Sequence, residues 1–218
     1  MLEIPVFPLP DVVFFPKTVL PLHVFETRYR KMVKDALARD RTIAVALLQP
    51  GWEQRYDGSP AYFPIATLGR MEDIETTRDG RYYFKLSGLV RVQLGQVVNE
   101  APYRVVRAEE IPESRVDETD ASIRTAKLEL LASQVCLVRE LTGNDSPKLI
   151  LDERITFEAA VNAACASLPT EAAIRQSLLA EDDLLLRYRR AAGILDEILQ
   201  RVIRLKSKGE ESGAVGIN

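Results

Sequence analysis

The side chains that could perform chemistry are few, because this 218-residue chain has one histidine, His23, and two cysteines, Cys136 and Cys165. Zinc sites take several histidine or cysteine ligands at close spacing, which these residues do not provide. A Ser-His-Asp or Cys-His arrangement would have to use His23, which lies in an apolar stretch. We therefore expect His23 to have a structural role and both cysteines to be small buried hydrophobic residues.

Motifs for phosphate or acyl chemistry are absent from the sequence. It contains no GxxxxGK(S/T), GxGxxG or GxSxG pattern, which excludes a Walker loop, the usual dinucleotide site and a nucleophile elbow. Adjacent acids such as Asp182-Asp183 point in different directions on a helix or strand, so caps and solvated faces explain them better than acid/base catalysis. We predict no catalytic residues, no metal and no cofactor.

Charge and composition narrow the class of protein further. The chain has 29 basic and 32 acidic residues, a formal net charge of -3, and 46% hydrophobic residues, as globular proteins do. This acidic balance argues against nucleic-acid binding. Prolines interrupt the apolar N-terminus, no stretch reaches the roughly 18 apolar residues of a spanning helix, and the unpaired cysteines indicate a reducing compartment. We expect a cytoplasmic protein.

Residues 1–111 have the composition of a strand-rich region, with frequent Pro and Gly among Val, Ile, Tyr and Phe. One amphipathic helix is predicted there, because apolar residues between Phe25 and Leu37 recur at steps of three and four. The pair Asp79-Gly80 predicts a tight hairpin turn. Gly88 predicts a bulge or bend of the kind that curls a small sheet towards a barrel.

The strand after this hairpin alternates between apolar and polar residues, which indicates one core face and one solvated face. Phe84 and Leu86 lie in the core phase, and the alternation resumes after Gly88 with Val92. The alternation places Arg91 on the solvated face. It can pair with a nearby acid or cap the barrel, and the sequence leaves both interpretations open.

The pattern changes after Ile111, where a polar connector over residues 112–120 carries several carboxylates. Such a connector is typical of a boundary between two lobes. Helical periodicity follows in four segments, the first ending near Gly143-Asn144 and the last beginning at Leu184. The final residues are rich in Gly, Ser and Glu, and we expect them to be disordered.

Large aromatic residues on the predicted loop 49–64 are the candidates for a polypeptide-binding surface, because such surfaces use exposed aromatics on loops. The candidate residues are Trp52, Tyr56, Tyr62 and Phe63. The alternative is that they fold back and cap the end of the sheet.

The order of motifs along the chain resembles the Lon protease N-terminal (substrate-binding) domain family. The resemblance begins with the proline-rich run from Ile4 to Pro16 and covers nearly the whole chain, to about Lys206. Its further motifs are Leu20-Pro21-Leu22, Asp79-Gly80, Gly88-Leu89-Val90-Arg91-Val92, Pro102-Tyr103, Leu168-Pro169-Thr170-Glu171 and Gln176-Ser177-Leu178-Leu179.

The resemblance implies an α+β fold. A curved antiparallel β pseudo-barrel, PUA-like and with one helix, is followed by a C-terminal α-helical bundle that ends in a long helix. The predicted boundaries are residues 1–115 for the β-rich lobe, 116–206 for the helical lobe and 207–218 for a disordered tail. The prolines and glycines at the family's positions are expected to carry the fold rather than a binding site.

The resemblance also implies a function. Family proteases continue the last helix into ATPase and peptidase modules, whereas this chain ends there, so we expect a stand-alone module that is not an enzyme. We expect it to bind unfolded or degradation-tagged polypeptide, or to dock onto a protease or chaperone, with a weak homodimer as one option for its oligomeric state. The alternative is an RNA-binding module, which the PUA-like fold suggests and the acidic balance opposes.

Overall fold

The computed structural model describes residues 2–55, 58–143 and 154–214. Within these residues the N-terminal lobe has six strands and one α-helix. They are β1 (Leu2–Leu9), β2 (Val19–Val24), α1 (Thr27–Leu37), β3 (Thr42–Leu47), β4 (Ile65–Thr76), β5 (Tyr82–Asn99) and β6 (Val105–Ile111).

The sheet closes into a barrel because the long strand β5 pairs with two different neighbours besides β4. The strand order is β2-β5-β4-β3-β1-β6, and β5 also pairs with β6, so five strands form a ring and β2 lies beside it. All pairs are antiparallel except β1 with β3, which run parallel because the chain passes through β2 and α1 before it returns.

The predicted irregularity at Gly88 is confirmed. Leu68 pairs with Val90 and Gly69 pairs with Gly88, so β5 has one extra residue there and bends. A Cβ atom on Gly88 would collide with the backbone oxygen of Phe15. Glycine is therefore required by the close approach of the β1–β2 connection.

Helix α1 packs against the outer face of the sheet, as its apolar spacing predicts. Met32, Val33 and Ala36 are buried and belong to the same apolar cluster as Phe84 and Leu86 of β5. The predicted alternation of β5 is thus confirmed for its first half. The hairpin at Asp79-Gly80 is confirmed too, with Gly80 at a φ of 77° between β4 and β5.

The C-terminal lobe consists of four helices within the described residues. They are α2 (Ala121–Thr142), α3 (Phe157–Ser167), α4 (Ala172–Leu179) and α5 (Leu184–Ala214). The Asp120 carboxylate caps α2 by accepting a hydrogen bond from the Ser122 amide, and Gly143 ends this helix in the left-handed conformation, as predicted. The α5 backbone continues through part of the segment 207–218 that we expect to be disordered, and residues 215–218 lie outside the described residues.

The two lobes share one apolar cluster. Phe15 and Leu47 of the barrel are buried together with Phe157, Leu179 and Leu184 of the bundle. Burial of these side chains against one another fixes the bundle on the barrel. The boundary at residues 115 and 116 remains a prediction.

Candidate functional site

The most exposed apolar surface of the β-rich lobe lies on the outer face of β2 and the start of β5. Val19 is 59% exposed, Phe25 is 58% exposed and Tyr83 is 44% exposed. Pro21 and His23 are exposed between them. We call these five residues the β2 ribbon, namely Val19, Pro21, His23, Phe25 and Tyr83. Grouped large apolar side chains at this exposure are typical of interaction surfaces.

The strand pleat explains why the ribbon faces outward. The intervening residues Leu20, Leu22 and Val24 point inward and pack against the apolar cluster under α1. Residues that alternate with an inward-facing set must face the other side of the sheet. His23 lies opposite Tyr83 in the antiparallel register, so the two side chains share that outer face.

Ring stacking orders the centre of the ribbon. The His23 and Tyr83 rings stack with centroids 4.2 Å apart and an angle of 2° between their planes, and the Phe25 ring lies 5.6 Å from His23. Such stacking reduces the side-chain freedom that a ligand would otherwise have to restrict. His23 thus has a role in an exposed aromatic group, which its apolar sequence neighbours did not indicate.

Beside the ribbon the sheet carries paired charges. The Lys85 ammonium donates to the Asp73 carboxylate at 2.8 Å, and this hydrogen bond raises the pKa of Lys85. The Ser87 hydroxyl donates to Glu72, also at 2.8 Å. A polar rim around an apolar centre is the usual arrangement of a protein interaction surface.

The free edge of β2 also offers backbone amide and carbonyl groups for hydrogen bonding. Among the described strands β2 pairs only with β5, so its other edge has no strand partner. An unpaired edge can accept an additional extended strand, although Pro21 offers no amide hydrogen there.

The aromatic residues predicted from the loop do not lie on the ribbon, and the structure does not bring the described ones onto a single face. Trp52 is half-buried at the start of a short 3₁₀ turn, and Tyr56 lies outside the described residues. Tyr62 packs against the barrel cluster beneath the Arg104 guanidinium, 4.8 Å from its ring centroid. Phe63 packs against the cluster that the two lobes share. Their role in binding stays a prediction.

A second polar constellation lies between the lobes and is centred on two buried arginines. Arg91 and Arg187 are 1% and 0% exposed, and both contact the Glu113 carboxylate in the connector. The Arg187 Nη1 and Nη2 atoms lie 2.7 and 3.1 Å from the two Glu113 oxygens, and Arg187 Nη1 also donates to Asn162 Oδ1 at 3.0 Å. Arg91 Nη1 donates to Asp182 Oδ1 at 2.9 Å. We call these five residues, Arg91, Glu113, Asn162, Asp182 and Arg187, the inter-lobe charge cluster.

The inter-lobe charge cluster corrects one prediction and settles an open question. The solvated position expected for Arg91 is wrong, because the turn between α4 and α5 covers that face of β5 and the Leu179 carbonyl accepts a bond from Arg91 at 3.1 Å. Of the two roles left open, pairing with acids is the one observed. Since carboxylates, carbonyls and an amide hold both guanidinium groups, the cluster is suited to fixing the lobes rather than to chemistry.

Cys165 lacks the environment of a reactive thiol. Cys165 is buried, and burial raises the pKa of its thiol to about 12, so that it stays protonated at neutral pH. The burial predicted for both cysteines is wrong for Cys136, which is half-buried on α2 with the Arg139 Nη2 atom 3.9 Å from its sulfur. Neither forms a disulfide, and within the described residues no group of three His, Cys, Asp or Glu side chains could hold a metal ion. None of the described helices is long and apolar enough to span a membrane.

Comparison with known proteins identifies relatives over most of the chain. The family model for the ATP-dependent protease La (LON) substrate-binding domain matches residues 3–197. Lon protease 2 of Sorangium cellulosum is 26% identical over 214 residues, covering 94% of this chain and 26% of that protein. Lon protease 2 of Myxococcus xanthus is 29% identical over 219 residues, covering 96% and 26%. The chain therefore spans about a quarter of the length of these relatives.

Solved structures show the same architecture. The N-terminal domain of a Mycobacterium avium complex Lon protease has a TM-score of 0.66 at 18% identity, with 89% of this chain and 98% of that chain covered, which shows a shared fold. A Lon N-terminal domain protein from Xanthomonas campestris has a TM-score of 0.60 at 25% identity, with 90% and 98% covered. These similarities confirm the predicted α+β fold class.

The matching family model is that of a substrate-binding domain, which fits the predicted non-enzymatic module. Because the family model covers residues 3–197, the chain belongs to the LON substrate-binding domain family.

Proposed function

We propose that the chain recognises unfolded or degradation-tagged polypeptide through the β2 ribbon. The observation that carries this proposal is the exposure of Val19, Phe25 and Tyr83 on one face of the sheet. Membership of a substrate-binding family supports a role in recognition, and the ribbon is the surface of the barrel best suited to it.

Selection for unfolded polypeptide follows from the chemistry of the ribbon. A folded protein buries most of its large apolar side chains, whereas an unfolded segment presents them together with free backbone groups. Apolar side chains of such a segment pack on Phe25 and Tyr83, and its backbone pairs along the free edge of β2. A native protein offers neither group, so it is not bound.

The same surface is open to a protease or chaperone partner, which is the other half of the proposal. The free cysteines are consistent with a reducing compartment, and we place the protein in the cytoplasm. Trp52, Tyr62 and Phe63, with Tyr56, remain a second candidate surface for polypeptide.

The test compares one protein in two states. Lactalbumin kept unfolded by reduction and carboxymethylation is labelled with fluorescein, and its binding is followed by fluorescence anisotropy against native lactalbumin. We expect binding of the unfolded form only. The double variant Phe25→Ser/Tyr83→Ser should weaken it at least about tenfold, since aromatic residues at the centre of an interface carry much of the binding energy.

The matched control is Leu205→Ser on α5, where Leu205 is 63% exposed, and it should bind as the wild type does. Thermal unfolding checks that the ribbon variant is folded, because exposed substitutions change stability by only about 0.5 kcal/mol. Equal binding of native and unfolded lactalbumin, or an unchanged affinity in the ribbon variant, would contradict the proposal. In the same assay Trp52→Ala tests the second surface.

A further inference from the structure

Two charged side chains of β4 lie at opposite ends of the sheet face that carries the β2 ribbon. Arg70 of β4 lies opposite Ser87 of β5, which in turn lies opposite Val19 at one end of the ribbon. Glu75 of β4 lies opposite Tyr83 of β5 at the other end. Residues directly opposite one another in antiparallel strands carry their side chains on the same face. Arg70 and Glu75 are therefore on the face of the ribbon, one at each end.

Both of these side chains are exposed. Within the part of the chain that the structure describes, neither takes part in an ion pair or a side-chain hydrogen bond. The charged groups between them do have partners, since Lys85 pairs with Asp73 and the Ser87 hydroxyl donates to Glu72. The described face therefore has an apolar centre and a charge of opposite sign at each end that no group within it offsets.

The positions of these two end charges are related by a two-fold rotation. Their rows are four positions apart along β5, from Ser87 to Tyr83, which is about 13 Å at the rise of a strand. A two-fold axis between two stacked faces, perpendicular to the strands and over the middle row, reverses the order of the rows. It places Arg70 of each copy over Glu75 of the other. The face is thus self-complementary in charge, as an interface between identical patches must be.

The middle row is compatible with this arrangement. It contains Pro21, Lys85 and Glu72, which lie side by side on β2, β5 and β4. The axis brings each Lys85 over its own copy, and the Asp73 carboxylate 2.8 Å from the ammonium offsets the repulsion. Each Lys85 also lies one strand to the side of the partner's Glu72, about 5 Å away, which is within the reach of its side chain. Each charge in this row therefore has an opposite charge beside it as well as its own copy.

A second copy of the chain fits this face better than a lipid surface or a nucleic acid does. An anionic membrane and a nucleic acid carry charge of one sign, so they attract one end of the face and repel the other. A second copy attracts both ends, and its own ribbon supplies the apolar side chains that cover Phe25 and Tyr83.

We propose that two copies of the chain associate face to face through the β2 ribbon across this two-fold axis. The apolar centres cover each other, and Arg70 forms an ion pair with the partner's Glu75 at both ends. Because the surface is small, the dimer is weak, with a dissociation constant between about 1 µM and 1 mM. The regulatory consequence rests on the proposed function: the dimer covers the ribbon, and unfolded polypeptide has to displace the second copy.

The test measures the mass of the full chain by sedimentation equilibrium between about 1 µM and 1 mM. We expect the mass to rise from that of one chain towards that of two. Arg70→Glu and Glu75→Arg each place like charges at both ends of the interface, and each should weaken the dimer at least about tenfold because two ion pairs change sign. The double variant Arg70→Glu/Glu75→Arg restores both pairs and should dimerise as the wild type does. An equimolar mixture of the two single variants should form a heterodimer for the same reason.

Two apolar variants locate the interface. Phe25→Ser/Tyr83→Ser should abolish the dimer, whereas Leu205→Ser, which removes an exposed apolar side chain from α5, should leave it unchanged. Unfolded lactalbumin should convert the dimer into complexes that contain one copy of the chain, and native lactalbumin should not.

Several results would overturn the inference. A chain that is still monomeric at about 1 mM, or a double variant as weak as the single ones, would remove the interface. Loss of the dimer in Leu205→Ser with retention in Phe25→Ser/Tyr83→Ser would place the contact on α5. A monomer that binds unfolded lactalbumin through the ribbon contradicts this inference alone. A dimer that shows the expected charge dependence but is not displaced by unfolded lactalbumin supports the interface and contradicts the proposed function instead.

Discussion

The inter-lobe charge cluster and the β2 ribbon invert the usual distribution of side chains. Arg91 and Arg187 are charged and buried, whereas Phe25 and Tyr83 are aromatic and exposed. Buried charges are costly unless they are paired, and an exposed aromatic side chain does not gain the free energy of burial in an apolar core. Both regions therefore depart from the arrangement that stability alone would favour.

The two departures differ in what compensates them. Every acid and base of the inter-lobe charge cluster has a partner inside the chain, which offsets much of the cost of burial and fixes the lobe arrangement, although the buried Arg91 Nε and Asn162 Nδ2 atoms have no hydrogen-bond partner. The ribbon has stacked rings but no cover among the described residues. The comparison indicates that the first region serves structure and the second serves binding.

The largest effect is expected from Arg187→Met, which tests whether the inter-lobe charge cluster is structural. It would leave the half-buried Glu113 carboxylate and the Asn162 amide oxygen without their Arg187 bonds. Removing one partner of a buried ion pair costs about 3–5 kcal/mol, which we expect as a lower free energy of unfolding in urea. Addition of Glu113→Leu should recover part of this loss, since no carboxylate is then left unpaired. A loss below 1 kcal/mol for Arg187→Met, a threshold taken from exposed ion pairs, would show the cluster to be dispensable.

A smaller loss is expected from Gly88→Ala, which acts where the barrel approaches the inter-lobe region. The new Cβ atom would collide with the backbone oxygen of Phe15, and a forced shift of this kind costs about 1–3 kcal/mol. Gly193→Ala is the matched control, since nothing lies within 4 Å of its Cβ position on α5. That control should gain about 0.5–1 kcal/mol from helix propensity. Urea unfolding of both variants measures whether the free energy of unfolding falls for Gly88→Ala and rises for Gly193→Ala.

The smallest effect is expected from Glu158→Gln and depends on pH. Burial raises the pKa of this carboxyl above its ordinary value of 4.5, against the opposing charges of Lys17 and Arg187. Folding therefore disfavours the charged carboxylate. This lowers the stability of the wild type at pH values above the folded-state pKa. It has no effect below pH 4.5, where the carboxyl is protonated in both the folded and the unfolded state. The variant should be more stable than the wild type at pH 7, with the gain disappearing as the pH falls below 4.5.

Thermal unfolding of the wild type and Glu158→Gln from about pH 4 to about pH 7, a range that includes the ordinary carboxyl pKa, measures the difference in their stability. Glu109→Gln on β6, an exposed position, serves as the control and should show no such gain. A gain for Glu158→Gln that is independent of pH would mean that charge burial is not its cause.

Much of the fold could be predicted from local patterns. The spacing of Met32 and Val33, the Asp79-Gly80 turn and the alternation of Phe84 with Leu86 each report on residues a few positions apart. Helix ends at Asp120 and Gly143 are local signals as well. Such features are determined by local backbone geometry, and the structure contains them.

The burial of Arg91 and the exposure of the ribbon could not be predicted in this way. Period-two alternation assigns Arg91 to the face opposite Val92, but the contact that covers that face comes from Asp182, far along the chain. In β2 both faces are apolar, so hydropathy does not say which one is covered. Whether another element packs over a given strand face depends on tertiary packing, and a single sequence carries little information about that packing.

The position of Glu113 in the connector has a consequence for the proposed binding surface. Because arginines from both lobes contact this carboxylate, the connector does not act as a free hinge, and the helical lobe keeps its place relative to the β2 ribbon. Under the proposed function, a polypeptide bound at the β2 ribbon would therefore leave the ribbon in a fixed direction relative to the helical lobe.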